Sequence, residues 1–233
     1  PCEEFAGQFL LPYYQACGYD NAPALTWAEL ALLGSPLPAT IAEIEHVAHQ
    51  VRKSPFFDAE YYAHRLPQGL DPAVHYAVIG ERLGWCPSLR FNPIFYLDCY
   101  PDIHTAGVSP LLHYSSHGHG EGRMAVPVAD KLDFPSLPED DRPVILLISH
   151  EASRTGAPVL GWNIIRKLAL RYRVVSFLMH EGTLEDDFAQ VAAAQVGPIT
   201  RANWNPIEMR WVADRIVREY SPLFAINNSI ETY

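Results

Sequence analysis

Two stretches of this chain repeat one another, and that limits the folds open to its first half more than any other feature. FFDAEYYAHRLPQGLDPAVHYAVIGERLG (56–84) aligns with FNPIFYLDCYPDIHTAGVSPLLHYSSHGHGEG (91–122). Phe57, Tyr62 and Pro67 match Phe91, Tyr96 and Pro101. After a four-residue insertion, Pro72, His75, Tyr76, Gly80 and Gly84 match Pro110, His113, Tyr114, Gly118 and Gly122. A period of about 36 residues marks a supersecondary unit that cannot bury its apolar face alone, so the copies must pack on neighbours.

The punctuation inside each copy reads as helical. Asp58 and Asn92 are placed to cap a first helix, and Pro93 occupies a favoured first helical position. Asp71-Pro72 and Ser109-Pro110 repeat the device for a second helix. Gly80 and Gly118 are expected to stop it with left-handed backbone. Each copy is then two short helices with Tyr61/Tyr62 or Phe95/Tyr96 packed between them. Ahead of the copies, Ile41, Ile44, Val47 and Val51 fall at helical spacing, and Thr40 with Glu43 forms a capping box. Residues 1–53 are read as a helical lead-in, within which 1–38, with Tyr13-Tyr14 and Trp27 among several prolines, fit either a decayed third copy or an irregular approach, and 54–128 as the tandem helical repeat region.

ADKLDFPSLPEDDR (129–142) has acids, prolines and no periodicity, and reads as a linker. From 143 to 233 strands alternate with helices. VILLIS, RVVSFLM, QVGPI and LFAIN are near-continuous apolar strands. A helix is expected from about Pro158 to Arg171. A second starts behind Thr183 as cap, with Asp186 three residues on, and a third opens at Asn205-Pro206. That alternation predicts an α/β fold, a Rossmann-like parallel sheet covered on both faces, preceded by the mostly α-helical repeat region.

Ligands in open parallel sheets gather beyond the carboxyl ends of the strands. The residues expected there are His150, Glu151, Ser153, Arg154, Thr155 and Gly156 after the first strand. His180, Glu181 and Gly182 follow the second, and Asn227, Asn228, Ser229 and Glu231 the fourth. Gly156 sits where a helix begins, so a ligand can approach unpaired helix N–H groups that favour a phosphate or carboxylate. It also fits a tight turn and nothing more. Arg154 is placed to add a bidentate contact. The stretch carries neither G-x-G-x-x-G nor G-x-x-x-x-G-K-[ST], so a dinucleotide fingerprint and a P-loop are both missing.

Bulk properties exclude other classes. The formal net charge is −10, which argues against nucleic acid as partner. No apolar run is long enough to span a membrane. Cys2, Cys17, Cys86 and Cys99 form no CxxC and read as thiols of a cytoplasmic protein, with a disulfide pair as the alternative. His113 and His117, with His104, His119 and Glu121 near, have the spacing of a metal site. However, the first copy repeats only His113, as His75, which favours packing and hydrogen bonding, so neither metal nor cofactor is expected. Aromatic residues in the copies are read mainly as core, with Trp85 the candidate for an exposed sugar-stacking face.

LLISHEASRTGAPVLGWNIIRKLALRYRVVSFLMHEGTLEDDF resembles the first β-α-β unit of GT-B glycosyltransferases, the family 4-like (group 1) bacterial enzymes of polysaccharide assembly. Ser-His, a short polar stretch and Thr-Gly-Ala-Pro carry the likeness, which covers roughly 143–233. The resemblance implies transfer of a sugar from a nucleotide-sugar donor to a glycan or lipid-linked acceptor, without a bound metal. Thr155, Gly156 and the helix N–H groups would face the donor phosphates or the sugar. His150, Glu151, Arg154, His180 and Asn228 would complete the substrate contacts. Asn227-Asn228-Ser229 stands where many members have a histidine, so no catalytic residue is assigned. The family's donor-binding acidic pair lies in a carboxyl-terminal domain, so this chain is expected to be inactive alone. The competing expectation is a non-catalytic module whose repeats bind a protein or glycan.

Overall fold

The computed structural model describes residues 41–66, 70–199 and 205–229. Cys2, Tyr13-Tyr14, Cys17, Trp27, Thr40 of the expected capping box, Pro67 and Glu231 lie outside the described residues. The chain divides into two compact units between Val126 and Pro127.

In the first unit α1 spans Ile41–Lys53 and buries Ile44, Ala48 and Val51, one face of the helix. The helices that follow are α2 (Ala59–Ala63), α3 (Pro72–His75), α4 (Pro93–Cys99), α5 (Pro101–Ala106) and α6 (Pro110–His113). Asp58 accepts from the Tyr61 amide, and Asn92 from the Phe95 amide. Asp71 accepts from Ala73 and Val74, and Ser109 from Leu112. Side-chain caps therefore begin α2, α3, α4 and α6. Helix α5 starts at the aligned Pro101, runs into the inserted stretch and ends at Gly107, φ 64°.

α3 and α6 each run on into a wider turn, Tyr76–Gly80 and Tyr114–Gly118. There the amide reaches the carbonyl five residues back: Glu81 to Tyr76 at 3.0 Å, and His119 to Tyr114 at 2.9 Å. Gly80 and Gly118 were expected to be left-handed, and this is corrected. Gly84 and Gly122 take that role, with φ of 72° and 71°. Gly80 and Gly118 are small for another reason. A Cβ would stand 1.8 Å from the Tyr62 hydroxyl at the first and 2.3 Å from the Tyr96 hydroxyl at the second. Those hydroxyls bond Nδ1 of His75 and His113, each at 2.9 Å.

Each aligned segment also closes on itself. The Asp58 amide donates to the Pro87 carbonyl at 3.1 Å, and the Asn92 amide to the Ala125 carbonyl at 2.8 Å. Tyr62, Tyr76, Phe91 and Tyr96 are fully buried between the helices. Each such side chain contributes roughly 1.5–3 kcal/mol relative to exposure. Tyr61 differs from expectation: it is half-buried, and its hydroxyl accepts from Arg65 at 2.9 Å. Trp85 is no open platform either. Its ring lies 5.3 Å from His75 and 6.0 Å from Tyr62.

The second unit opens with a tight turn at Val128–Lys131. Its regular elements are β1 (Val144–Ser149), α7 (Gly156–Leu168), β2 (Arg173–Leu178), α8 (Glu185–Val191), β3 (Ala194–Val196), α9 (Pro206–Tyr220) and β4 (Ala225–Asn227). All pairings are parallel, in the order β3-β2-β1-β4. Alternate residues face opposite ways. Ile145, Leu147, Val174 and Leu178 pack with Ile165 and Phe188 of α7 and α8. Val144, Leu146, Val175 and Phe177 pack with Val212 and Ile216 of α9.

The stretch read as a linker belongs to this second face. Ala129 is buried, Phe134 and Leu137 pack on the same cluster, and the Tyr220 hydroxyl donates to the Pro135 carbonyl at 2.9 Å. Beyond the turn it has no regular secondary structure, so its apolar residues need no period. Thr183 does not cap α8. The helix starts at Glu185, whose carboxylate accepts from the Gly182 amide at 2.8 Å. Asn205 does cap α9, accepting from Ile207. Among the described residues no helix is long and apolar enough to cross a membrane.

Two measurements follow from the first unit. Gly80→Ala and Gly118→Ala should each cost about 1–3 kcal/mol in urea denaturation, as overpacking does. Tyr96→Phe should rescue Gly118→Ala better than Tyr62→Phe rescues Gly80→Ala. The ring carbon beneath the hydroxyl is 3.3 Å from the added Cβ at the second site but 2.9 Å at the first. Burial also lowers the His75 pKa from 6.5 to about 4. The folded unit holds this histidine neutral, while the unfolded chain takes a proton below its ordinary pKa. Its contribution is intact above pH 6.5 and falls away as pH drops toward 4, about 3 kcal/mol in all. Denaturation midpoints at about pH 7 and about pH 4.5 should show the loss, and His75→Gln should remove most of it.

Candidate functional site

Strand order decides where a ligand can sit. From β1 the chain moves outward to β2 and β3, then returns to the other side of β1 for β4. The loops after β1 and β4 therefore part at a topological switch point, which is where open α/β sheets form a crevice. The loop after β1 is His150 to Thr155, and α7 begins at Gly156, two residues earlier than expected.

The structure draws the three polar clusters together at the strand tips. His180 Nδ1 donates to the His150 carbonyl at 2.8 Å. The Met179 amide reaches Ser149 at 2.9 Å, and the Leu184 amide reaches Ala152 at 2.7 Å. Gly182 lies directly on this loop: a Cβ there would stand 2.1 Å from the Ala152 carbonyl carbon. From the other side the Asn228 amide N–H donates to Ile148 at 3.0 Å, and its side-chain Nδ2 to the Ala157 carbonyl at 2.5 Å.

Glu151 organises the loop from within. Ser153 Oγ donates to Glu151 Oε1, as does Thr155 Oγ1 at 3.2 Å, and His150 Nε2 lies 3.5 Å from the same oxygen. The Ser153 hydroxyl is the main reason its pKa is lowered, with Thr155 and the neighbouring histidines adding to it. The carboxylate is thus held ionised.

Thr155 occupies the cap position of α7 but makes no cap bond, because its hydroxyl is turned to Glu151 and Ser153. The Gly156 and Ala157 amides consequently donate to no described residue. Pro158 has no N–H to offer. A Cβ at Gly156 would meet nothing within 4 Å, so the helix end is open.

Two expected contacts turn inward. Arg154 Nη2 is 3.0 Å from Asp187 Oδ2, so its charge is answered within the protein. Asn228 braces α7, and its amide nitrogen fills the space beside Gly161, where a Cβ would stand 2.6 Å away. Gly161 was missed in the sequence, though glycine inside a helix costs about 1 kcal/mol against alanine and so signals close approach. Asp187 gave no signal, being 33 residues from Arg154.

The histidine cluster of the first unit has different partners. His113 Nδ1 meets the Tyr96 hydroxyl at 2.9 Å, and His117 Nδ1 meets Ser116 Oγ at 2.8 Å. Among the described residues no group of three or more His, Cys, Asp or Glu is placed to hold a metal ion.

No protein-family model, curated protein or solved structure matches the chain.

The two loop glycines should separate in stability measurements on the second unit. Gly156→Ala should change it by less than about 1 kcal/mol, since the added methyl meets only solvent. Gly182→Ala should cost about 1–3 kcal/mol, because the backbone of Ala152 must move. Urea denaturation of the two variants beside the parent checks the contrast.

Proposed function

We propose that this chain is the amino-terminal part of a GT-B-type glycosyltransferase that moves a sugar from a nucleotide-sugar donor to a glycan or lipid-linked acceptor. In this reading the second unit is a Rossmann-like half-domain, and 54–128 is a tandem repeat fused before it. The observation that carries the proposal is the open start of α7. Two amides and a clear approach at Gly156 stand at the switch point of a parallel sheet.

Charge refines which ligand group meets that end. Arg154 is paired with Asp187, and Glu151 is an ionised carboxylate bonded to the Thr155 hydroxyl at the helix start. Glu181 lies on the adjoining loop, and Glu185 and Asp186 in the first turn of α8. The helix end supplies partial positive charge, equivalent to about half an elementary charge, among these acids. A neutral hydroxyl of the transferred sugar or acceptor fits this field better than a doubly charged diphosphate. The Gly156 and Ala157 amides would orient that hydroxyl, with His150 and His180 beside it.

A second reading has its own support. Ser153, Thr155, Arg154 and Asn228 all bond within the loop system. That pattern suits a structural element, leaving the helical unit to bind a protein or glycan partner.

The deciding experiment is a transfer assay with the protein that carries this chain. Gly156→Trp should leave the circular dichroism and denaturation midpoint near those of the parent and lower sugar transfer by about a hundredfold or more, as loss of preorganised donors does. Unchanged transfer in a folded Gly156→Trp variant would remove the site from this loop.

A further inference from the structure

The first unit contains a cleft of about 380 Å³ between α1, the turn after α3, and α4 to α6. That volume lies within the range of small-ligand sites. Val47, Leu97, Ile103, Val108 and Pro110 give it apolar walls. Glu81 and Arg82 bring the charge, and His104 stands among the lining residues.

Glu81 is unusual in how it is bonded. Its Oε1 accepts from Ser109 Oγ at 2.8 Å, the Leu111 amide at 3.2 Å and the Tyr76 hydroxyl at 3.3 Å. Its Oε2 accepts from no described residue. The three bonds hold one oxygen in place and fix the direction of the other. Burial raises the Glu81 pKa, and burial likewise lowers that of Arg82. Placing two charges among apolar walls costs free energy that the local fold does not require. The chain itself carries the comparison: the aligned positions of the second segment are His119 and Gly120, on a turn of the same shape.

Glu81 and Arg82 both line the cleft, the one offering an acceptor and the other a donor. Neighbouring hydroxyls on one molecule match that pair, since each hydroxyl both donates and accepts. We infer that this cleft is a carbohydrate-binding subsite for a neutral sugar ring. One hydroxyl donates to Glu81 Oε2, an adjacent one accepts from Arg82, and the C–H face of the ring lies on the apolar wall. Arg82 Nη1 donates to the Val78 carbonyl at 2.7 Å, which steadies the guanidinium for this task. Val108, 46% exposed, is the wall residue open to the incoming ring. The site is separate from the start of α7 and does not rest on the sugar-transfer reading.

The test is titration of the whole chain with mannose, galactose, N-acetylglucosamine and cellobiose, one at a time, followed by saturation-transfer NMR and calorimetry. Sodium benzoate serves as an anionic probe with an apolar body. At least one sugar should bind saturably. Arg82→Met keeps the apolar stem and should weaken that binding at least about tenfold, as loss of a charged hydrogen bond does. Glu81→Gln replaces the acceptor with an amide and should weaken it similarly, with the unit's near-ultraviolet dichroism retained. The inference is overturned by lack of saturable binding of all four sugars. It is equally overturned by binding that survives both substitutions, or by benzoate binding where no sugar binds.

Discussion

A tyrosine laid over a glycine holds the first unit together. α2 and α3 have five and four residues, too few hydrogen bonds to offset the entropy of forming a first turn. They persist because Tyr62 crosses from one to the turn beyond the other, occupies the space a Cβ would need at Gly80, and bonds His75 behind it. Tyr96, Gly118 and His113 repeat the arrangement. Hydroxyl, imidazole and glycine are each incomplete alone. Removing the hydroxyl leaves a buried imidazole nitrogen unpaired, and enlarging the glycine expels the ring. The closing bonds from Asp58 to Pro87 and from Asn92 to Ala125 then bring the end of each segment back to its start.

In the second unit the same economy of space works on backbone. Gly182 lets the loop after β2 lie against the loop after β1, and the His180 ring bridges them. Asn228 fastens the loop after β4 to α7. With Glu151 drawing Ser153 and Thr155 inward, the β1 loop is preorganised from three sides. That preorganisation leaves the α7 amides uncapped: Thr155 answers Glu151 and so cannot answer the helix. A loop built to stabilise itself alone would have used Thr155 as the cap, because side-chain capping contributes about 1 kcal/mol. The diversion of that hydroxyl is what gives the strand tips a chemical opening.

Much of the architecture could be read in advance. The caps at Asp58, Asp71, Asn92, Ser109 and Asn205 were legible because Asp, Asn and Ser side chains reach amides only two or three residues away. The first two strands were legible because their apolar runs are continuous; β3 and β4 are shorter than QVGPI and LFAIN suggested, covering Ala194–Val196 and Ala225–Asn227. The role given to Gly80 and Gly118 went astray because a helix-ending glycine and a glycine beneath a ring look alike in one dimension. Thr183 went astray for a related reason: Glu185 reaches back to the Gly182 amide and takes over the start of α8.

The sequence by itself determined the local events: which residues cap, where apolar strands alternate with amphipathic helices, and which positions of the two segments correspond. These depend on interactions over a few residues, so composition and spacing suffice. Tertiary structure alone decided the pairing of Arg154 with Asp187, the turning of Asn228 onto α7, and the single-oxygen grip on Glu81. Those contacts join residues 33, 71 and 28 positions apart. A charge or amide has many possible partners at such range, and only the packed chain brings one of them within 3 Å.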